Sequence, residues 1–137
     1  MSKRNRERRD ILEDLEAEGK IAELVLLAWG MVELTLDNAT LSAYGLSSQD
    51  MRARPLVKLP VADKLKLLKR LDRLSDEDYD TLTKFKDERN ALFHMGGLFF
   101  PNWTEEQKKD ITDLAFASAD ASHELSNRTF NRGRDRP

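Results

Sequence analysis

Apolar residues recur along most of this chain at intervals of three and four positions, which is the spacing of one face of an α-helix. No stretch shows the alternation of apolar and polar residues between turn residues that is typical of a strand. The pattern predicts helices over 5–18, 20–43, 61–74 and 75–95, and a last helix that begins near Thr104. We therefore expect an all-α fold, an antiparallel bundle of four or five helices.

The predicted second helix, over 20–43, has the widest apolar face. One row of apolar residues at helical spacing contains Ile21, Leu24, Val25, Ala28, Val32 and Leu36, and a second row contains Leu27, Met31 and Leu34. Two adjacent rows make a face too wide for a helix that packs on one side only. We expect this helix to lie at the centre of the bundle or to be buried in a dimer.

Residues that favour helix ends flank the last two predicted helices. Ser75 is a suitable N-cap for one of them, and Gly96 and Gly97 are natural residues at its end. Thr104 precedes the last helix, whose first turn carries two glutamates, and negative charge is favourable there. The Ala and Ser residues further along this helix permit close approach of a neighbouring helix.

The composition narrows the possible classes of protein. The 137 residues suit a single domain, 1–137, and the absence of cysteine excludes disulfides and thiolate metal sites. With two histidines we expect no metal site and no cofactor. No apolar run reaches the ~20 residues of a membrane helix, and the basic start does not resemble a signal peptide. These features predict a soluble, cytoplasmic protein.

Charge is distributed unevenly along the chain. Residues 1–9 carry +4 and residues 128–137 carry +3, so that a chain with a net charge of −2 has −9 in between. Basic segments on an acidic body could contact phosphates. The simpler interpretation, which we prefer, is that these ends are solvated and partly disordered tails.

An arginine interrupts the apolar stripe of the predicted helix over 75–95. This stripe contains Leu82, Phe85 and Leu92, and Arg89 falls on it, four residues after Phe85. A guanidinium cannot lose its charge under physiological conditions, so it must pair, reach solvent, or face a polar interface or ligand.

Asn90 and His94 are four residues apart and share a helix face, next to Arg89. Histidine is suited to proton transfer near neutral pH, and arginine offers a planar fork of donors for phosphate. We expect His94 to move a proton at a ribose 2′-hydroxyl or the leaving 5′-oxygen, Arg89 to stabilise the phosphorane-like transition state, and Asn90 to orient His94 or hold a phosphate oxygen. This chemistry cleaves RNA without a metal and leaves a 2′,3′-cyclic phosphate and a 5′-hydroxyl.

The segment RNALFH, from Arg89 to His94, resembles the Arg-polar-x-x-x-His signature of the HEPN superfamily. A looser likeness covers most of the chain and includes the long apolar helix with AWGMVE. The resemblance implies a HEPN-like helical bundle with Arg89 and His94 as the catalytic pair and Asn90 as their polar companion. It also implies a homodimer in which two motifs line one cleft, which would place Arg89 at the dimer groove.

Many HEPN proteins are metal-independent RNA endonucleases, and many act as toxins of toxin–antitoxin pairs or as phage-defence effectors. By this resemblance the substrate is RNA, and an antitoxin or a nucleotidyltransferase is a candidate partner. Two alternatives remain: a non-catalytic helical-bundle module that binds a protein, and a nucleic-acid-binding regulator that uses the basic ends.

Three further polar residues are candidates for a supporting role. Glu33 could orient His94 or pair with Arg89, although a glutamate in this setting more often lies on the exposed edge of its helix. Lys86 could contact phosphate, although a solvated charge is the more common case. His123 could be a second acid or base, but we interpret it as a surface or packing histidine.

Four aromatic residues could stack on nucleic-acid bases. We place Trp29 in the core. Phe99, Phe100 and Trp103 follow the two glycines, and we favour packing at one end of the bundle over a cover for the site.

Overall fold

The computed structural model describes the backbone of residues 3–96 and 103–134, and the side chains of residues 8–93 and 103–129. Within these ranges there is no strand, so the predicted all-α fold is confirmed. The helices are α1 Lys3–Ala17, α2 Ile21–Ala43, α3 Ala53–Val57, α4 Val61–Arg70, α5 Asp76–Gly96 and α6 Glu105–Arg134.

The long apolar helix α2 is the centre of the bundle. It packs on α6, α4, α1 and α3. Its first predicted row is buried almost throughout, whereas Leu27 and Leu34 of the second row remain exposed and Met31 is half-buried. The prediction of a central helix is therefore confirmed, and one side of α2 carries apolar residues that no other part of this chain covers.

The small residues of α6 allow it to pack closely along α2, and this is the most extensive helix pair in the chain. Ile21 and Thr112 line one pocket in the first part of both helices, and Thr35 and Ser126 line another pocket further along both helices. The two helices therefore run in the same direction.

Helix α5 runs antiparallel to α6. The indole Nε1 of Trp103, just before α6, donates to the Leu92 carbonyl near the end of α5, at 3.2 Å. At the other end of the pair, Asp78 lies near Arg128. The antiparallel arrangement that the pattern predicts thus holds for α5 and α6 but not for α2 and α6.

The predicted N-caps of the last two helices are confirmed. Ser75 Oγ accepts a hydrogen bond from the Asp78 backbone N–H at 3.1 Å. At α6, the Thr104 hydroxyl accepts from the Gln107 N–H at 3.1 Å, and the Gln107 side-chain carbonyl accepts from the Thr104 N–H at 2.9 Å. This reciprocal pair is a capping box and fixes the first turn of α6.

Helix α4 ends four residues earlier than the apolar spacing predicts. Asp72 has a φ of +56°, and the Arg73 N–H donates to the Leu68 carbonyl at 2.9 Å. A residue in the left-handed region followed by a backbone bond to an earlier turn terminates a helix. The prediction of a helix to residue 74 is therefore wrong at its end.

The short helix α3 lies between the predicted helices over 20–43 and 61–74, where the apolar spacing predicts no helix. Lys64 of α4 is buried, and its ammonium donates to the Asp37 carboxylate on α2 and to the Val57 carbonyl at the end of α3. One buried cation thus joins three helices, and its charge is paired as burial requires.

The basic ends belong in large part to helices. Residues 3–9 form the first part of α1, and residues 128–134 form the last part of α6. Residues 1–2 and 135–137 lie outside the described residues. Arg9 bonds the Asp120 carboxylate at 2.6 Å, and Arg128 lies 3.7 Å from Glu124. Two of the cations at the chain ends are therefore paired within the protein.

By length and composition, α2 is the one helix in the described ranges that could cross a membrane, with a mean hydropathy of 1.3. Half of that apolar window is buried inside the bundle. We see no stronger candidate for a membrane span in the part of the chain that the structure describes.

Candidate functional site around Arg89

Arg89 projects from α5 toward α2 from the apolar stripe on which the sequence places it. Leu82, Phe85 and Leu92 of this stripe are all buried, and Phe85 packs edge-on against Trp29 of α2, with ring centroids 5.7 Å apart. The side chain of Arg89 is half-buried at the same place. The prediction that a charged residue interrupts the core stripe is confirmed.

The guanidinium of Arg89 lies between two aromatic rings. Its Cζ is 4.8 Å from the ring centroid of Trp29 and 5.0 Å from that of Phe93. Phe93 in turn packs against Trp103, with centroids 5.8 Å apart. This row of side chains comes from α2, from α5 and from the segment before α6, so three parts of the fold fix the position of the cation. Stacking on aromatic faces is a favourable environment for arginine.

The hydrogen bonds of Arg89 are incomplete. Nη1 donates to Asn90 Oδ1 at 3.0 Å, whereas the buried Nε has no partner within the described part of the chain. Burial lowers the pKa of Arg89, and the Glu33 carboxylate opposes this shift. Because a guanidinium remains charged in proteins, the site holds a cation whose Nε–H has no acceptor among the described residues.

Glu33 is exposed on α2 and interacts with Arg89 by charge alone, since no ion pair within 4 Å joins the two. It occupies the exposed edge of its helix, as the simpler interpretation of this residue predicts. Asn90 is exposed, and its Oδ1 accepts a hydrogen bond from Arg89. The functional part of each prediction, toward His94, stays a prediction.

His94 lies in α5 by its backbone, one helical turn after Asn90. Its side chain lies outside the described residues, as do Gly97, Phe99 and Phe100. Arg89 and His94 are five residues apart near the end of one helix, a spacing that does not stack them on one face. A meeting of the two side chains in a shared groove therefore stays a prediction.

The other candidate residues are paired with a neighbouring side chain or packed in the core. Lys86 is mostly buried, and its ammonium is 3.3 Å from the Asp87 carboxylate. His123 is half-buried on α6 and accepts a hydrogen bond from the Asn127 amide at 3.3 Å. Trp29 and Trp103 are buried, which confirms the prediction that both are packing residues.

Sequence reasoning missed the two rings that hold Arg89. Phe93 follows Arg89 by four residues, a spacing that places two side chains on one helix face, so this contact had a visible signal. Trp29 lies on another helix, and no local pattern connects it with Arg89. Its core position was predicted, but its role as one wall of the arginine site was not.

The arrangement can bind and stabilise an anion. A fixed guanidinium between rings keeps its orientation without a carboxylate that would neutralise it, and its unused N–H groups suit a phosphate oxygen. Among the side chains that the structure describes, no group of three or more His, Asp or Glu residues could hold a metal ion.

Comparison of the chain with family models, with curated proteins and with solved structures gave no match.

Proposed function

We propose that this protein is a HEPN-type, metal-independent RNA endonuclease that acts in the cytoplasm as a homodimer, as toxin or phage-defence effectors of this type do. His94 transfers the proton at the ribose 2′-hydroxyl or at the leaving 5′-oxygen, and Arg89 stabilises the negative charge that develops on the phosphorus oxygens. Asn90, through its bond to Nη1, keeps the guanidinium turned toward the phosphate. The products are a 2′,3′-cyclic phosphate and a 5′-hydroxyl.

The observation that carries this proposal is the state of Arg89. It is a cation held between Trp29 and Phe93, and within the described residues no group accepts from its buried Nε and no carboxylate is in contact with it. A structural arginine in a bundle would pair fully, because an unused buried donor costs about 1–3 kcal/mol. A phosphate oxygen would use the donor that the fold leaves free, and His94 follows on the same helix.

The homodimer is supported by the uncovered side of α2. Around the helix axis, Leu26 and Gly30 come next to Trp29 and Glu33, and Leu34 follows. The two leucines are exposed, and a Cβ on Gly30 would meet open space. A second copy packed on this face would cover the leucines and bring two Arg89 sites to the same side of the assembly.

Cleavage of RNA in the presence of EDTA tests the proposal. We expect the purified chain to cut RNA under these conditions and to leave 2′,3′-cyclic phosphate ends. His94→Ala and Arg89→Ala should each lower the cleavage rate at least about a hundredfold, which is the usual effect of losing one group that stabilises a transition state. Arg54→Ala, an exposed arginine on α3, is the matched control and should cleave at the normal rate.

An intact set of diverse RNAs at high enzyme concentration, with any copurifying partner removed, would count against the nuclease. The exposed apolar face of α2 would then favour the alternative of a helical-bundle module that binds another protein. The remaining alternative, a nucleic-acid-binding regulator that uses the basic ends, has less support, because Arg9 and Arg128 are paired with carboxylates of the chain.

A further inference from the structure

A second polar site lies on the other side of α2, between α1, α2 and α6. It is a partly enclosed cavity of about 60 Å³, with Leu12, Met31 and Ala119 as apolar walls. None of the residues that line it belongs to the Arg89 cluster. Because a water molecule needs at least about 10–15 Å³ of such space, the cavity has room for about four waters or one group of that combined size.

The two neighbouring arginines at this cavity differ in their partners. Arg9 is neutralised, since it bonds the Asp120 carboxylate at 2.6 Å, lies 3.4 Å from Glu13, and stacks over Phe116 at 5.4 Å. Arg8 has no ion pair among the described side chains. Asp120 also lines the cavity, but its charge is already balanced by Arg9. Among the residues that line the cavity, Arg8 and Arg9 carry two positive charges and Asp120 carries one negative charge, so the lining has a net charge of +1.

Hydroxyl and imidazole groups of α6 and α2 line the same space. Ser122 is only 4% exposed, and its Oγ has no hydrogen-bond partner in the described part of the chain. Because its hydroxyl hydrogen can rotate, this group can donate to a ligand in the cavity without giving up a hydrogen bond seen in the structure. Thr35, His123 and Ser126 complete the polar lining. A buried polar group without a partner is rare enough in native proteins to call for a ligand or water that uses it.

We propose that this cavity binds a phosphate group, with Arg8 as the cation and the hydroxyls of Ser122 and Ser126 as hydrogen-bond donors, beside His123. The size suits a single tetrahedral oxyanion, and we expect any nucleoside attached to the phosphate to lie at the open side of the cavity. Arg8 of α1 and the two serine hydroxyls of α6 line the same cavity, which suits an oxyanion that accepts bonds in several directions. This proposal does not depend on the nuclease hypothesis, because the two sites share no residue.

Titration of the full chain with inorganic phosphate, at constant pH and at ionic strength matched with chloride, tests this site. The histidine side-chain resonances report it by NMR, because the chain has two histidines, His123 at the cavity and His94 near Arg89. We expect the His123 resonance to move saturably. Arg8→Gln should weaken this binding at least about tenfold, as the loss of a charged hydrogen bond implies, and Arg54→Gln should leave it unchanged.

A Ser122→Ala variant separates ligand binding from a structural role. Removing a buried hydroxyl that bonds nothing should leave the melting temperature unchanged or raise it, whereas phosphate binding should weaken. A parallel titration with adenosine monophosphate identifies the source: tighter binding than that of phosphate assigns a nucleotide, and equal binding assigns free phosphate.

Three results would overturn the proposal: no saturable movement of His123 beyond that caused by chloride, equal weakening by Arg8→Gln and Arg54→Gln, or movement of His94 alone. The last result would assign phosphate binding to the Arg89 site and leave the proposed nuclease standing. Conversely, saturable binding at His123 in a protein that cuts no RNA would support this site and not the nuclease.

Discussion

At the scale of single residues, the guanidinium of Arg89 stacks on two aromatic rings, while its buried Nε–H has no acceptor among the described residues. The rings of Trp29 and Phe93 offset part of the cost of burying a cation, by an amount on the order of 1 kcal/mol for each well-placed ring. They cannot accept the hydrogen of the buried Nε. An anion that enters beside the rings would accept a hydrogen bond from this donor. The rings therefore fix the orientation of the guanidinium, and its Nε–H remains able to bind an anion.

Replacement of Arg89 by lysine keeps the positive charge and removes the planar fork. We expect Arg89→Lys to remain folded and to cleave RNA at most at about a hundredth of the normal rate, because an ammonium neither stacks between two rings nor donates in a fixed plane. The initial cleavage rate measures this, with circular dichroism as the check on folding. Near-normal cleavage by the lysine variant would mean that charge alone matters and that the stacked geometry does not.

Asp50 and Arg52 make the clearest prediction about pH. The Arg52 guanidinium bonds both oxygens of Asp50, at 3.2 and 2.9 Å, and the Arg52 N–H adds a third bond. These bonds lower the pKa of Asp50 from 3.8 to about 2. Because the folded pKa is depressed, the stability that this pair contributes is present above the ordinary carboxyl pKa and is lost as pH falls toward 2.

In an Arg52→Ala variant, we therefore expect the pKa of Asp50 to rise from about 2 part of the way toward 3.8, because the guanidinium bonds are lost and the backbone N–H of residue 52 still donates. NMR titration of the Asp50 carboxyl carbon measures this change. Arg54→Ala is the control, since Arg54 is exposed nearby and is not among the groups that shift Asp50. A pKa that stays near 2 without Arg52 would show that this pair is not the cause.

At the scale of helices, the residues at helix ends were the most predictable features. Ser75 and Thr104 act as caps because short polar side chains bond the free N–H groups of a first turn, and this rule operates within four residues. The early end of α4 depends on a left-handed φ at Asp72. An aspartate can adopt this conformation, but its presence in the sequence does not predict it. Helix α3 is too short for periodicity to indicate it, and a contact from Lys64 fixes its end.

The junction of α5 and α6 links helix capping to the arginine site. Trp103 closes the end of α5 through the Leu92 carbonyl and packs against Phe93, which packs against Arg89. Thr104, the next residue, caps α6 but is absent from this row of rings. The two neighbours should therefore differ in their effect on activity while resembling each other in their effect on stability.

We expect Trp103→Phe and Thr104→Ala each to lower the free energy of unfolding by about 1 kcal/mol, since each removes one hydrogen bond at a helix end. Only Trp103→Phe should also slow RNA cleavage, because the smaller ring leaves Phe93 less firmly held. Urea denaturation and cleavage rates at a temperature where both variants are folded measure the two effects. Equal cleavage rates in the two variants would contradict a role of the Trp103–Phe93 contact in holding Arg89.

At the scale of the whole molecule, the periodicity predicted the all-α fold and the central place of α2, because burial of an apolar face dominates both. It did not predict that α2 and α6 run in the same direction, or that Trp29 reaches Arg89. Both depend on how helices cross, and this is set by contacts between residues far apart in the chain. The second apolar row of α2 was predicted to be covered either within the bundle or in a dimer, and Leu27 and Leu34 are not covered within the bundle.

We predict that the chain forms a dimer through this face of α2. Light scattering should give twice the mass of one chain, and Leu34→Glu should raise the dissociation constant at least about a hundredfold, because two copies of a leucine each lose about 1.5 kcal/mol or more of burial. Leu71→Glu is the matched control, since Leu71 is 41% exposed and Leu34 is 51% exposed, but Leu71 lies outside α2. The control should remain dimeric.

Gly30→Ala tests the same surface with a substitution that should stabilise the single chain and weaken the dimer. In a single chain the added Cβ meets nothing, and alanine favours a helix over glycine by about 1 kcal/mol, so the isolated fold should become more stable. If a second α2 lies close to Gly30, the same methyl group weakens the dimer. Stronger folding together with weaker association and slower cleavage would locate the interface at Gly30, whereas a wild-type monomer at all concentrations would remove the dimer from the proposed mechanism.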